Sequence, residues 1–253
     1  MPVTIKSSHE IELMRVSCRN LAVLHEELAK MIRPGISTLE IDREAARIIK
    51  SFGCVSSFLN YNGYPGHLCV SVNEEVVHGI PKAERILREG DIVSLDAGMI
   101  YRGYHSDAAR TWAVGSVDED CLKLMAAAEE CFRRGILKAR AGLHLHDISE
   151  AINACADEHG YGVVHELCGH GIGRELHEPP QIPNNRQKTR GILLRPGMTL
   201  AIEPMITMGS REVRWMPDKW TVVTKDGKPA AHYENTVLIT EGEPEILTVR
   251  QVR

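Results

Sequence analysis

The sequence repeats one pattern of landmarks at a spacing of 107 residues, and this repeat constrains the fold more than any other feature. The matched positions are Gly35 and Gly142, Ile41 and Ile148, Gly53 and Gly160, and the runs Leu87-Arg88-Glu89-Gly90 and Leu194-Arg195-Pro196-Gly197. Chance is an alternative explanation, because glycine commonly follows a helix. Four landmarks at one spacing favour a duplicated helix-helix-strand unit. We therefore expect an α+β chain with two related halves, roughly residues 8–115 and 118–240.

Local signals predict the elements of each half. Segments 7–10 and 37–40 are both capping boxes, in which a serine and a glutamate three positions later cap the start of a helix. They predict helices that end near residues 35 and 53. The second half should have helices over about residues 119–142 and 147–160. Extended segments are predicted at residues 68–73, 91–100 and 104–114.

The composition argues against a nucleic-acid or membrane protein. The formal net charge is −4, whereas nucleic-acid proteins normally carry a basic face. No apolar run approaches the roughly 20 residues that span a bilayer, and residues 1–6 contain no apolar signal core. The seven cysteines form no Cys-x-x-Cys pair and are odd in number, which does not fit a disulfide framework. We expect a single cytoplasmic domain over residues 1–253 with reduced thiols.

Two aspartates lie in the predicted hairpin formed by segments 91–100 and 104–114. A turn centred on Tyr101 and Arg102 would place Asp96 directly opposite Asp107. Like charges at opposed positions repel, since their Cβ atoms are only about 4.5–5.5 Å apart. Either one carboxylate is protonated or a cation lies between them, and we favour the cation.

Two glutamates in the second half extend this acidic set. Glu203 ends a β-rich run and lies 107 residues after Asp96, and Glu234 lies in another strand-like run. Each could be a water-facing charge on an edge strand. Acidic residues are depleted from strands, however, and are rarely buried without a partner. The repeat therefore indicates one acidic site between the two halves.

A histidine in a glycine-rich run completes a candidate metal site. His170 lies in Cys168-Gly169-His170-Gly171-Ile172-Gly173, where glycine permits close backbone approach. It could instead be structural, and Cys168 could ligate a softer zinc site. Four carboxylates and one imidazole favour a pair of ions such as Mn(II), Fe(II) or Co(II). Paired ions of this kind activate water in hydrolases.

These five residues resemble the Asp-Asp-His-Glu-Glu ligand set of the pita-bread fold metallopeptidases. Along essentially its whole length, the sequence is similar to the bacterial type I methionine aminopeptidases. The supporting stretches are Val72-Asn73-Glu74-Glu75-Val76-Val77-His78-Gly79-Ile80-Pro81, Gly169-His170-Gly171-Ile172-Gly173-Arg174-Glu175-Leu176-His177-Glu178-Pro179-Pro180, and residues 198–205. The resemblance implies the pita-bread fold, with a curved and mainly antiparallel sheet between the halves.

The resemblance also implies roles for the metal ligands and for two further histidines. Asp96 would chelate one ion, His170 and Glu203 would bind the other, and Asp107 and Glu234 would bridge the pair. Glu203 would also accept the proton of the attacking water. Of the two histidines that do not bind metal, His177 would contact the substrate backbone and the oxyanion, and His78 would lie near the scissile nitrogen. Without the resemblance, either histidine would be interpreted as a surface or core residue.

The resemblance further implies a methionine pocket and a biological setting. The pocket wall would consist of Phe58, Tyr61, Tyr64, Cys69, Leu176 and Trp220. Three positions depart from the common pattern and affect the expected pocket shape, namely Phe58, Leu176 and Asn235. The expected activity is removal of the initiator methionine before a small second residue. The expected setting is a monomer near the ribosome.

Two other functions share this fold. X-Pro dipeptidases have the same ligand set but usually carry a large N-terminal domain, whereas 95 residues precede Asp96 here. Non-enzymatic pita-bread binding proteins typically lack several ligands, whereas all five are present. The interval from His170 to Glu203 also appears too short for the helical insertion of type II enzymes. The sequence therefore favours the type I aminopeptidase over both.

Overall fold

Each half of the chain begins with two helices and continues in strands. The computed structural model describes residues 2–250. The helices are α1 (Ser8–Ala29), α2 (Thr38–Ser51), α3 (Glu119–Ile136) and α4 (Leu145–His159). The strands are β1 (Val55–Ser56), β2 (Leu68–Val72), β3 (Glu75–Val77), β4 (Ile92–Tyr101), β5 (Tyr104–Ala113), β6 (Gly162–Val163), β7 (Cys168–Gly171), β8 (Glu178–Pro183), β9 (Thr199–Ile202), β10 (Met205–Thr207), β11 (Val213–Trp215), β12 (Val222–Thr224), β13 (Ala230–His232), β14 (Glu234–Leu238) and β15 (Glu245–Ile246). A 3₁₀ turn covers Tyr61–Gly63.

One large sheet joins the two halves. Its strand order is β1-β4-β5-β14-β9-β7-β8, with β2 paired to β4 and β15 paired to β14. Two smaller sheets have the orders β13-β10-β6 and β11-β12-β3. The strand pairs of all three sheets are antiparallel, as expected. The halves meet where β5 pairs with β14.

The spacing of 107 residues recurs in the backbone contacts. The equivalent contacts are hydrogen bonds from Gly35 N to Leu87 O at 2.8 Å and from Gly142 N to Leu194 O at 3.1 Å, and bridges between Ser37 and Ile86 and between His144 and Leu193. Both glycines have positive φ, at 89° and 85°. Glycine adopts this conformation without the steric cost that a side chain would add. The repeat in the sequence therefore corresponds to a repeat in the structure.

The capping boxes begin helices where the sequence predicts. The side chains of Ser7 and Ser37 accept hydrogen bonds from the backbone of the glutamates three residues later, at 3.4 and 3.2 Å. The ends of α1 and α3 were predicted too late. After Ala29 and Ile136 the chain forms turns with hydrogen bonds three residues apart, such as Met31 N to Leu28 O. These tighter bonds end the α-helical pattern before the glycines.

The hairpin of β4 and β5 has a different register from the predicted one. Tyr101 pairs with Tyr104, so the two turn residues are Arg102 and Gly103, with φ of 47° and 83°. A two-residue hairpin turn requires positive φ at both positions. Asp107 therefore faces Gly98, and the prediction that Asp96 faces Asp107 is wrong.

The error is two positions along the strand, so the aspartates still share one face. Asp96 faces Ala109, and Asp107 is its diagonal neighbour across the hairpin. Diagonal neighbours of this kind have Cα atoms about 7–8 Å apart, and long side chains can still meet. The inference of two adjacent carboxylates therefore survives the correction.

Each half has its own apolar core. One core packs α1 and α2 against β2 and β4, and includes Leu21, Ile41 and Leu95. The other packs α3 and α4 against β9 and β14, and includes Leu124 and Ile148. In the described residues, no helix is both long and apolar enough to cross a bilayer.

Gly79 allows the segment after β3 to lie directly against β2. A Cβ atom at Gly79 would lie 2.2 Å from Val70 O, and Gly79 O accepts a hydrogen bond from Val70 N at 2.9 Å. The preceding residue, His78, has a φ of 60°, which is uncommon for a residue with a side chain. The close contact with β2 therefore fixes the position of His78.

We predict that Gly79→Ala destabilises the protein by about 1–3 kcal/mol, the usual cost of forcing an extra methyl group into a packed site. Thermal and urea unfolding would measure the change. Gly242→Ala is the matched control, because a Cβ atom there meets nothing within 4 Å. Equal stability of the two variants would show that the β2 contact is not tight.

Candidate active site

Four carboxylates from the two halves converge on one cavity. Asp96 lies on β4 and Asp107 on β5, while Glu234 begins β14 and Glu203 directly follows β9. Glu234 pairs with Ala109 across the junction between the halves. All four acidic side chains line the same cavity, which has a volume of about 120 Å³.

Thr236 holds Asp107 at this junction. Its hydroxyl donates to Asp107 O at 2.8 Å and accepts from Asp107 N at 3.0 Å. Both backbone groups of Asp107 are therefore bonded to β14. The position of this carboxylate relative to Glu234 is set by the strand pairing.

Burial and mutual repulsion raise the pKa of each carboxyl group. Burial raises the pKa of Asp96 to about 7. Burial, and then the charge of Glu234, raise the pKa values of Asp107 and Glu203 well above the usual range. Burial, and then the charge of Asp96, do the same for Glu234. The cluster therefore disfavours its own negative charge unless a positive charge compensates it.

The glycines beside His170 bring its ring to the carboxylates. A Cβ atom at Gly169 would lie 2.4 Å from Ala201 O, and one at Gly171 would lie 2.3 Å from Pro179 O. His170 Nδ1 donates to Gly171 O at 2.9 Å, so Nε2 is the free acceptor nitrogen. That Nε2 lies 3.5 Å from Glu203 Oε1 and 3.7 Å from Asp107 Oδ2.

The donor set fits divalent metal ions. Oδ1 of Asp96, Oδ1 of Asp107 and Oε1 of Glu234 are buried and have no hydrogen-bond partner. Two groups of three residues, Asp107 with His170 and Glu234, and Asp96 with His232 and Glu234, each bring their donor atoms within 4.8 Å of one another. Carboxylate and imidazole donors suit Mn(II), Fe(II), Co(II) and Zn(II). Ions at these positions would both satisfy the oxygens and neutralise the charge.

Two further histidines lie beside the carboxylates. The ring of His177 lies 4.3 Å from that of His170, and its Nδ1 is 2.6 Å from the hydroxyl of Tyr61. The ring of His78 lies edge-on to Trp220, with centroids 6.2 Å apart. Burial lowers the pKa of His177 and lowers that of His78 to about 4, so both rings are neutral near pH 7.

An apolar wall adjoins the acidic floor. Tyr64 and Trp220 meet edge to face at 5.1 Å, and the Tyr64 hydroxyl donates to Gly79 O at 2.9 Å. Cys69 on β2 pairs with Asp96, so the wall and the carboxylates are neighbours in the sheet. Burial, and then the charge of Asp96, raise the pKa of the Cys69 thiol, which is therefore protonated. The remaining wall residues on this cavity are Phe58, Tyr61 and Leu176.

All the residues proposed from the sequence line this cavity, but one neighbour was missed. His232 Nε2 lies 3.7 Å from Glu234 Oε2 and 3.9 Å from Glu203 Oε2. Its position two residues before Glu234 in a strand-like run could have indicated a shared face. Asn235 lies away from the cavity, since its Oδ1 accepts from Arg110 at 2.6 Å and so contributes to the junction.

Comparisons with known proteins agree with this site. The profile of metallopeptidase family M24 matches residues 12–241. Methionine aminopeptidase 1 of Bacillus subtilis is 48% identical over 97% of this chain and 99% of its own length. The methionine aminopeptidase of Clostridium acetobutylicum is 47% identical over 98% of this chain and 99% of its own length.

Solved structures give the same result for the fold. The crystal structure of a methionine aminopeptidase from Thermotoga maritima has a TM-score of 0.96 and 43% identity, and the match covers 98% of this chain and 100% of that one. Prolidase from Pyrococcus furiosus has a TM-score of 0.80 at 24% identity, and the match covers 66% of that chain, so it shows the fold alone. The expected pita-bread fold is confirmed. The chain belongs to metallopeptidase family M24, within the group of bacterial methionine aminopeptidases.

Proposed function

We propose that this chain hydrolyses the peptide bond after an N-terminal methionine when the second residue is small. The observation that carries the proposal is the direct contact between an acidic, metal-fitting floor and an apolar wall, shown by the pairing of Asp96 with Cys69. A thioether side chain suits such a wall because sulfur gains from aromatic contact. The scissile bond would then lie above the carboxylates.

Two divalent ions, of manganese, iron or cobalt, are proposed as the cofactor. Asp96 would hold one ion, His170 and Glu203 the other, and Asp107 and Glu234 both. When bound, such ions supply Lewis acidity and lower the pKa of water. The three buried oxygens without hydrogen-bond partners support this assignment.

Glu203 is the proposed base and His177 the proposed oxyanion donor. Glu203 accepts the proton of the attacking water, and its place directly after β9 leaves its backbone O bonded to Asn184 Nδ2 at 3.0 Å. If Tyr61 donates to Nδ1 of His177, then Nε2 of that ring carries the proton that the oxyanion needs. His78 would face the scissile nitrogen, at the position that Gly79 fixes.

The proposed biological setting is coarser in its support. We propose one catalytic domain, with halves of roughly residues 8–115 and 118–240, that acts as a monomer in the cytoplasm on chains emerging from the ribosome. The shared sheet across β5 and β14 supports a single domain. Sedimentation velocity at micromolar concentration would test the monomer.

We predict that chelation abolishes peptidase activity and that Mn(II), Fe(II) or Co(II) restores it under anaerobic conditions. The reason is that the buried carboxylates provide ligands but no other source of an activated water. Release of methionine from Met-Ala-Ser would be measured after elemental analysis of the protein. Full activity in demonstrably metal-free protein would contradict the proposed cofactor.

We predict that Glu203→Gln lowers kcat by about 10²–10⁴-fold, the usual contribution of a general base. Asp96→Asn occupies the equivalent position in the other half and has no proposed proton to accept, so it should mainly weaken metal binding. Steady-state kinetics at saturating metal and calorimetric metal titration would separate the two effects. Near-normal kcat with tight metal binding in Glu203→Gln would rule out its role as base.

We predict that Trp220→Ala raises KM for Met-Ala-Ser about 10-fold and changes kcat less. Loss of about 1.4 kcal/mol of apolar contact corresponds to that factor. Trp215→Ala is the control, because Trp215 is half exposed on β11 and is not part of this cavity wall. A peptide panel that varies the first two residues would give kcat/KM for each. Equal cleavage of Met-Lys and Met-Ala, or efficient release of any residue before proline, would favour an X-Pro peptidase.

A further inference from the structure

His232 is a buried histidine to which the proposed mechanism gives no role. It ends β13 and its accessible fraction is 1%. Neither of its ring nitrogens has a hydrogen-bond partner. A buried polar group left in this condition costs about 1–3 kcal/mol. The ring therefore needs a partner in this pocket.

The atoms around Nε2 are spaced as metal donors rather than as hydrogen-bond partners. Nε2 lies 3.7 Å from Glu234 Oε2 and 3.9 Å from Glu203 Oε2, beyond direct hydrogen-bond distance. Two donors that each bind one ion at about 2.0–2.2 Å can lie up to about 4.4 Å apart. Asp96 offers a third donor atom within 4.8 Å of those of His232 and Glu234.

His170 has the same relation to the other aspartate. Its Nε2 lies 3.7 Å from Asp107 Oδ2, and it forms a group of three with Asp107 and Glu234. Glu234 belongs to both groups. Each group therefore contains one aspartate, one histidine and the shared glutamate.

The backbone of His232 is held on two sides. Its N–H donates to Thr111 Oγ1 at 3.0 Å, and its O accepts from the same hydroxyl at 2.9 Å. On β13 it also pairs with Met205 of β10. A ligand side chain needs this kind of fixed support to hold its geometry.

We propose that His232 binds, through Nε2, the ion that Asp96 holds, so that each of the two ions has one imidazole ligand. This proposal rests on the two-ion site proposed above, whose five ligands include only one imidazole, that of His170. A nitrogen donor on the Asp96 ion shifts that position from hard ions such as Mg(II) towards Fe(II), Co(II) and Zn(II).

The test uses the full-length protein labelled with ¹⁵N-histidine and titrated with two equivalents of Zn(II). In the wild type, Nε2 resonances of two histidines should shift on metal addition. In His232→Gln one of these shifts should be absent, and calorimetry should show one of the two Zn(II) sites weakened by at least about 10-fold. His25→Gln is the matched control, because His25 is buried with Nε2 2.9 Å from Ala108 O, outside the cavity. It should leave both shifts and both affinities unchanged.

A single shifted histidine in the wild type would overturn the proposal, and this result does not depend on the variant folding. Unchanged zinc affinity in folded His232→Gln would also overturn it, and would leave His232 as a residue that only contacts the carboxylates. Release of methionine from Met-Ala-Ser is measured separately on the Co(II)-loaded wild type. Activity with only one shifted histidine would sink the role of His232 alone, whereas two shifted histidines without activity would sink the proposed function alone.

Discussion

The burial of four carboxylates in one cavity is the constraint on which the rest of the structure depends. Two like charges about 4 Å apart repel by about 4 kcal/mol at an effective dielectric constant of 20. A folded domain is stable by only about 5–15 kcal/mol in total. The raised pKa values of Asp107, Glu203 and Glu234 express this conflict. Bound cations resolve it, and the protein scaffold must then hold the ligands against their mutual repulsion.

The scaffold meets this requirement by pairing the central strands of its two halves. Glu234 and Asn235 on β14 pair with β5, and Thr236 bonds both backbone groups of Asp107. Asn235 also binds Arg110, whose guanidinium packs over a tyrosine ring at 4.4 Å. Because each half contributes two carboxylates, neither half alone contains the site. The duplication in the sequence and the location of the site thus have one structural cause.

Local signals in the sequence were sufficient for the helix starts and for the repeat. Ser7 and Ser37 cap helices through contacts three residues away, and such contacts can be identified in any sequence. The hairpin register was not accessible in this way. It depends on whether Arg102 adopts a positive φ, and residues with side chains do so only when the surrounding strands require it.

Long-range placement explains what remained hidden in the site. His232 and Glu234 belong to different sheets, because the chain changes sheet between β13 and β14. Their proximity to Asp96 arises from strands more than a hundred residues apart in the sequence. The wall residues were identified only through the resemblance to a family, since aromatic residues in a loop have no periodic pattern of their own.

The substrate pocket and the metal site are mechanically linked through β4. Asp96 and Gly98 lie two residues apart on the same face of this strand, and a Cβ atom at Gly98 would lie 2.9 Å from the ring of Phe58. The bulky Phe58 therefore fits into the wall only because β4 has no side chain at this point. Any residue larger than glycine at position 98 would displace Phe58 or bend the strand that carries Asp96. The shape of the methionine pocket and the position of a metal ligand are consequently set by the same short segment of backbone.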